Sequence, residues 1–110
     1  MTSAAPWQAT PAELAELIRQ GKKPQILDVR EKWEFAVCAL PGATHIPLSE
    51  IPERAGEIDR NQPLFVYCHH GGRSLRATQW LRAQGFDQAT NLAGGIHQWS
   101  LQIDPSLPTY

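Results

Sequence analysis

The chain has 110 residues, of which 42% are hydrophobic and 19% are charged, and this composition predicts one globular domain. Its formal net charge of -1 argues against a nucleic-acid-binding surface and against a polybasic membrane anchor. No apolar stretch of the sequence approaches the ~20 residues that span a bilayer, and we find no signal-peptide pattern. Two cysteines are too few for a disulfide framework, so we expect reduced thiols and a cytoplasmic location.

The first half of the chain alternates between helical and extended patterns. Thr10 and Glu13 predict a capping box at the start of a helix that Gly21 ends. The extended segments predicted here are 25–29 and 43–46, and the helical ones are 32–37 and part of 49–58.

The strongest strand pattern in the second half is the apolar run over 64–67, which a glycine-containing loop follows. The elements expected after it are a helix over 74–84, a strand over 88–92 and a helix over 96–101. Strands that alternate with helices predict an α/β domain with a largely parallel sheet and helices on both faces. Residues 1–110 form one domain in this interpretation, with a core over about 10–100 and a loosely packed tail over 105–110.

Cys68 lies at the carboxyl end of the strongest predicted strand, which is where open α/β sheets bind ligands. Gly71 and Gly72 are expected to adopt positive φ and to turn successive backbone N–H groups toward one anion-binding point. The N-terminus of the following helix and the Arg73 guanidinium add positive charge there. Because all of these features favour a thiolate, the sequence predicts a nucleophilic cysteine inside an anion-binding loop.

An alternative interpretation makes Cys68 a small core side chain, which is the usual role of a cysteine at the end of a buried strand. That role does not explain why two histidines, two glycines and an arginine follow at once. No metal site is predicted from His69 and His70, because adjacent side chains in an extended loop point apart. We expect these two side chains to line the pocket mouth or to be solvated.

The length of the loop bears on which anion it holds. Four residues separate Cys68 from Arg73, and cysteine phosphatases have one residue more between the corresponding positions. A shorter loop forms a tighter ring, which favours a single sulfur atom over a tetrahedral oxyanion.

Four segments, in order, resemble the rhodanese-like domain family in its stand-alone, single-domain form. These segments are 27–31 with 34–35, then 40–48, then 67–74, and finally 85–86 with 91–99. The third segment contains Cys68-His69-His70-Gly71-Gly72-Arg73, which has the loop length of the family's sulfurtransferases. Cys38-Ala39 stands where the family often has Gly-His.

The resemblance implies a five-stranded parallel sheet with helices on both faces. It implies transfer of a sulfane sulfur from thiosulfate or a similar donor, through a persulfide on Cys68, to cyanide or to a thiol, including a protein thiol. Apart from that covalent intermediate no cofactor is implied, and neither nucleic acid nor membrane is an expected partner. The resemblance makes Cys68 the catalytic residue and assigns substrate binding, mainly through backbone N–H groups, to His69, His70, Gly71, Gly72 and Arg73.

Two other functions stay open at this point. One is a cysteine phosphatase or arsenate reductase, which the short loop opposes, and the other is a non-catalytic interaction module, which Cys68 and Arg73 oppose. Outside the loop, one interpretation makes Arg30 a donor to substrate. We favour a structural interpretation, in which Arg30 pairs with Glu34 or Asp28 holds a loop backbone. Cys38 is interpreted as an ordinary thiol that forms no bridge to Cys68.

Overall fold

The computed structural model describes residues 7–110, so the predictions for residues 1–6 lie outside the described range. The elements in chain order are β1 Gln8–Ala9, α1 Pro11–Arg19, β2 Gln25–Asp28, α2 Lys32–Val37, β3 Thr44–His45, α3 Ile51–Arg54, β4 Leu64–Tyr67, α4 Gly72–Ala83, β5 Ala89–Leu92 and α5 Gly95–Gln102. Short 3-10 turns, Leu48–Glu50 and Ala55–Glu57, flank α3. Within this range, no helix has both the length and the apolar character needed to cross a bilayer.

The strands form one sheet in the order β1-β5-β4-β2-β3, and every pair of neighbours is parallel. The predicted five-stranded parallel sheet is therefore confirmed. The central strand β4 pairs with β2 on one side and with β5 on the other. The residue that follows β4 consequently emerges at the middle of the sheet's carboxyl edge, where the ends of its neighbours also lie.

The alternation of side chains along β4 divides the core into two layers. Leu64, Val66 and Cys68 point to one face, whereas Phe65 and Tyr67 point to the other. Helices α3 and α4 cover the first face, and α1 and α5 cover the second. Because both faces are buried, β4 is apolar throughout, as parallel central strands usually are.

The C-terminal segment packs against the domain, so the prediction of a loosely packed tail over 105–110 is wrong. Leu107 and Tyr110 lie against the core layer beneath α1 and α5. The Tyr110 hydroxyl accepts a hydrogen bond from Arg30 Nη1 at 2.8 Å and donates one to Glu34 Oε2 at 2.8 Å. Burial of an aromatic ring together with two charge-assisted hydrogen bonds offsets the entropy lost by ordering this segment.

Candidate active site

The Cys68 thiol lies directly after β4 and is buried, with 1% of the residue exposed. Its Sγ accepts hydrogen bonds from the N–H groups of Gly71 at 3.1 Å and Ser74 at 3.4 Å. The first turn of a helix leaves N–H groups without an intrahelical acceptor, and the loop turns two of these donors onto one sulfur atom. Of the predicted loop residues, Gly71 thus presents its N–H to the sulfur, and the second N–H donor, Ser74, lies one residue beyond Arg73.

Gly71 allows the ring to close. It is the N-cap of α4 and has φ +108°, a left-handed conformation that disfavours any residue with a Cβ. A Cβ at this position would also lie 3.2 Å from the backbone nitrogen of Gly94. The prediction of positive φ at Gly72 is wrong, because Gly72 is the first residue of α4 and already has helical geometry.

Ser74 is a candidate functional residue that the sequence analysis missed. Its Oγ lies 3.3 Å from Cys68 Sγ and 2.5 Å from Asn91 Oδ1. The Nδ2 of Asn91 donates to the Gly71 carbonyl at 3.3 Å, which fixes Oδ1 toward the serine. Since a hydroxyl carries one proton, it can donate to Asn91 while it accepts from the thiol, or donate to the sulfur of a thiolate.

The Arg73 side chain pairs with Glu34 and does not turn to the sulfur. Its Nη1 and Nη2 donate to the two Glu34 oxygens at 2.7 Å and 2.9 Å. Hydrogen bonds from Arg73 hold the pKa of Glu34 at about 2, even though burial acts in the opposite direction. The expectation that the Arg73 guanidinium adds a free positive charge to the loop is therefore wrong, because Glu34 neutralises it.

A second ion pair is buried beneath the site. Arg30 and Asp28 are both fully buried, and Arg30 Nη2 lies 2.6 Å from Asp28 Oδ2. Burial opposes the charge on Arg30, but hydrogen bonds from it to Asp28 outweigh that penalty and raise its pKa. The suggested pairing of Arg30 with Glu34 is wrong, and the Tyr110 hydroxyl instead lies between these two residues and bonds to both.

The side chains of the two loop histidines lie close together, so the prediction that they point apart is wrong. The ring centroids of His69 and His70 are 4.0 Å apart, because the chain bends at these residues instead of extending. His69 also stacks on Tyr110 with centroids 4.0 Å apart and planes 8° apart. Burial, reinforced by the neighbouring His70, lowers the pKa of His69 and favours its neutral form at pH 7.

Helix α5 holds the loop from its other side. The N–H groups of Ile96 and His97 donate to the carbonyls of Cys68 and His69 at 2.9 Å and 3.0 Å. Gly95 permits this approach, because a Cβ there would collide with both carbonyl oxygens. The loop is thus fixed by the start of α5 as well as by the start of α4.

Cys38 lies apart from the loop. It belongs to the core layer beneath α1 and α5, whereas Cys68 belongs to the layer on the opposite face of the sheet. Both thiols are free, and Cys38 Sγ lies 3.5 Å from the Pro108 carbonyl oxygen. This arrangement agrees with the interpretation of Cys38 as a thiol that does not bridge to Cys68.

The fold and the site together define an α/β domain whose cysteine, at the end of the central parallel strand, is surrounded by hydrogen-bond donors. The model of the rhodanese-like domain matches residues 10–102, and the chain belongs to this family. The chain is 40% identical over 90 residues to the Rhodanese-like/PpiC domain-containing protein 12, chloroplastic, of Arabidopsis thaliana, covering 78% of this chain and 30% of that protein. It is also 40% identical over 75 residues to the putative sulfur carrier protein YrkF of Bacillus subtilis, covering 68% and 40%.

A solved structure shares this fold over most of the chain. The human single-domain sulfurtransferase TSTD1 superposes with a TM-score of 0.75 at 30% identity, covering 89% of this chain and 98% of that one. The curated relatives named above are longer, and this chain spans 30% of one and 40% of the other. Family membership and these relatives support sulfur transfer as the general activity of the domain.

Proposed function

We propose that this domain is a sulfurtransferase that moves a sulfane sulfur from thiosulfate or a similar donor, through a persulfide on Cys68, to cyanide or a thiol. Protein thiols are included among the acceptors. The observation that carries the proposal is the set of donors from Gly71 and Ser74 around a buried Cys68 Sγ. Unpaired thiols at Cys38 and Cys68 suit a reducing compartment, and a cytoplasmic location is part of the proposal.

The reaction consists of two displacements at sulfur. The Cys68 thiolate attacks the sulfane sulfur of thiosulfate, a new S–S bond forms, and the S–S bond of the donor breaks as sulfite leaves with its electron pair. The terminal sulfur of the persulfide is then attacked by cyanide, which leaves as thiocyanate and restores the thiolate. A thiol acceptor, attacking as its thiolate, takes the sulfur in the same way and becomes a persulfide.

The loop supports both steps by presenting hydrogen-bond donors to sulfur. Dipoles fixed before the reaction stabilise developing negative charge without having to reorganise. Gly72 and Arg73 lie between the two observed N–H donors in sequence and at the start of α4, so their N–H groups are suited to the outer sulfur of a persulfide. The roles of His69 and His70 in this proposal are to border the loop and to narrow access to it.

Phosphate-ester hydrolysis fits the site less well. Four residues separate Cys68 from Arg73, and the Arg73 guanidinium is already bound to Glu34 at both of its terminal nitrogens. A tetrahedral dianion is ordinarily held by a bidentate guanidinium. A purely structural module, in turn, has no use for three donors directed at one thiol.

Intact mass measurement tests the proposal directly. The parent protein treated with thiosulfate is expected to gain the mass of one sulfur atom, and cyanide is expected to remove it as thiocyanate. Cys68→Ser is expected to abolish both the gain and the turnover while circular dichroism stays unchanged, because serine is protonated near pH 7 and forms no persulfide. Cys38→Ser is the matched control and is expected to retain both.

Three results would contradict the proposal. The first is thiocyanate formation by Cys68→Ser above about a tenth of the parent rate, a limit that corresponds to about 1.4 kcal/mol of barrier. The second is sulfur loading on Cys38 in place of Cys68, and the third is hydrolysis of an aryl phosphate without sulfur transfer. The first two results concern the carrier residue, and the third concerns the class of reaction.

A further inference from the structure

Three of the four histidines of the chain meet beside the loop. His69 and His70 belong to the loop itself, and His97 comes from the first turn of α5. One ring nitrogen from each histidine can be chosen so that all three atoms lie within 4.8 Å of one another. We call this group the histidine cluster.

The cluster has polar atoms that nothing around them satisfies. His69 Nε2 and His97 Nδ1 are shielded from solvent and have no hydrogen-bond partner among residues 7–110. Buried polar atoms are normally paired, because an unpaired one costs about 1–3 kcal/mol. A ligand that accepts lone pairs from imidazole nitrogens would remove this cost.

The backbone holds the cluster in place. The His97 N–H donates to the His69 carbonyl at 3.0 Å, so the loop and α5 are joined where the two side chains begin. His69 is further fixed by its stacking on Tyr110. His70 is exposed, and its side chain is therefore the one that can turn.

The spacing suits a tetrahedral metal ion after a small adjustment. With Zn–N bonds of about 2.1 Å, tetrahedral geometry places ligand nitrogens about 3.4 Å apart. The three nitrogens must therefore come closer than their present limit of 4.8 Å, and we expect rotation of the exposed His70 side chain to supply most of this movement. Three imidazoles and an open fourth position are a known arrangement for zinc, and imidazole also suits copper and nickel.

We propose that His69, His70 and His97 form a binding site for one divalent transition-metal ion, with zinc as the probe. Water or an anion would complete the coordination of the ion at its fourth position. Cys68 is not a ligand, because its sulfur is held inside the loop by Gly71 and Ser74 and is not a member of the cluster.

The experiment measures zinc affinity on the full chain after removal of metal with a chelator, by calorimetry or by competition with a chromogenic chelator. One zinc ion per chain is expected. Loss of a residue that only hydrogen-bonds to a metal ligand already weakens metal binding by about 10–100-fold. His70→Ala and His97→Ala each remove a ligand itself, so each is expected to weaken zinc binding by at least about tenfold. Thermal unfolding of the metal-free proteins shows whether each variant folds, and the exposed His70 gives a variant that keeps the core intact.

The fourth histidine provides the matched control. His45 Nε2 lies 2.7 Å from the Arg30 carbonyl oxygen, and its ring stacks on Phe35, so it is engaged elsewhere. His45→Gln is expected to bind zinc as the parent does, and so is Cys68→Ser. Cobalt bound to the parent is expected to show tetrahedral visible bands without a thiolate charge-transfer band.

Four results would overturn the proposal. They are the absence of stoichiometric zinc binding, parent-like affinity in both His70→Ala and His97→Ala, an equal loss of affinity in His45→Gln, and evidence that Cys68 is a ligand. Such evidence would be a cobalt–thiolate band in the parent or loss of zinc binding in Cys68→Ser. These outcomes are independent of sulfur transfer, since none of them requires turnover.

Discussion

The ion pair between Glu34 and Arg73 connects α2 to the first turn of α4, and Glu34→Gln tests what it contributes. Glutamine keeps the size of the side chain and can still accept a hydrogen bond from Tyr110. It removes the negative charge that faces the Arg73 guanidinium at 2.7 Å and 2.9 Å. We expect a lower free energy of unfolding, because the partly buried Arg73 guanidinium loses its counter-charge.

The size of this effect follows from the carboxyl pKa. Hydrogen bonds from Arg73 lower the pKa of Glu34 from 4.5 to about 2, which corresponds to about 3 kcal/mol at about 1.4 kcal/mol per pH unit. The side chain of Arg73 is 34% exposed, whereas that of Glu34 is 4% exposed. Water therefore screens one partner, and we expect Glu34→Gln to cost about 2 kcal/mol near pH 7.

The effect has a defined dependence on pH. Because folding lowers this pKa, the contribution of Glu34 to stability is complete above its unfolded pKa of 4.5 and is lost as the pH falls toward about 2. The difference between parent and variant is thus expected to be largest near neutrality and to shrink in acid.

Urea unfolding at several pH values measures this difference. The matched control is Glu57→Gln, which breaks a pair with Arg54 of similar geometry in which the glutamate side chain is 51% exposed. We expect a smaller change there, since solvent screens the pair. A difference for Glu34→Gln that stays constant from neutral pH to about pH 3 would refute this account, because an uncharged packing defect behaves in that way.

Three further predictions concern the loop. Gly71→Ala is expected to lower the free energy of unfolding by about 1–2 kcal/mol and to slow sulfur transfer, because Gly71 has φ +108°. Its control is Gly72→Ala, at an open helical position, which is expected to leave turnover unchanged and the free energy of unfolding equal or slightly higher. Ser74→Ala removes a hydroxyl donor to Cys68 and is expected to reduce turnover about tenfold, and unchanged turnover in a folded variant would exclude the hydroxyl from the reaction. One glycine inserted between Gly72 and Arg73 is expected to reduce thiosulfate turnover sharply, and a parent-like rate would exclude loop size as the determinant.

Elements set by local signals could be predicted from the sequence. The Thr10–Glu13 capping box forms as expected, with both reciprocal hydrogen bonds present. Strand β4 has the predicted bounds, because a short apolar run between turn residues is sufficient to define it. Strand β1 was missed, since Gln8–Ala9 has no pattern of its own and becomes a strand only by pairing with β5.

In the candidate site, too, local contacts could be predicted from the sequence and long-range contacts could not. Cys68 and the Gly71 N–H that bonds to its sulfur lie within the predicted six-residue loop, so this contact could be inferred from sequence alone. The second N–H donor, Ser74, lies one residue beyond that loop. The partner of Arg73 lies 39 residues away at Glu34, and the third histidine of the cluster comes from α5. Such contacts depend on the order of strands in the sheet, which local patterns do not encode. Ser74 was the exception, because its position in the first turn of the helix could have drawn attention to its hydroxyl.

The pairing of the arginines near the loop affects the rate at which an anion associates with it. Arg73 is bound to Glu34 and Arg30 to Asp28, so each positive charge has a carboxylate within hydrogen-bond distance. The field of such a pair falls off with distance faster than that of a single charge, and the chain as a whole has a net charge of -1. A dianionic donor is therefore not drawn in from afar, and its association rate should vary little with ionic strength. Anions of equal charge but different size would be distinguished only once they touch the loop.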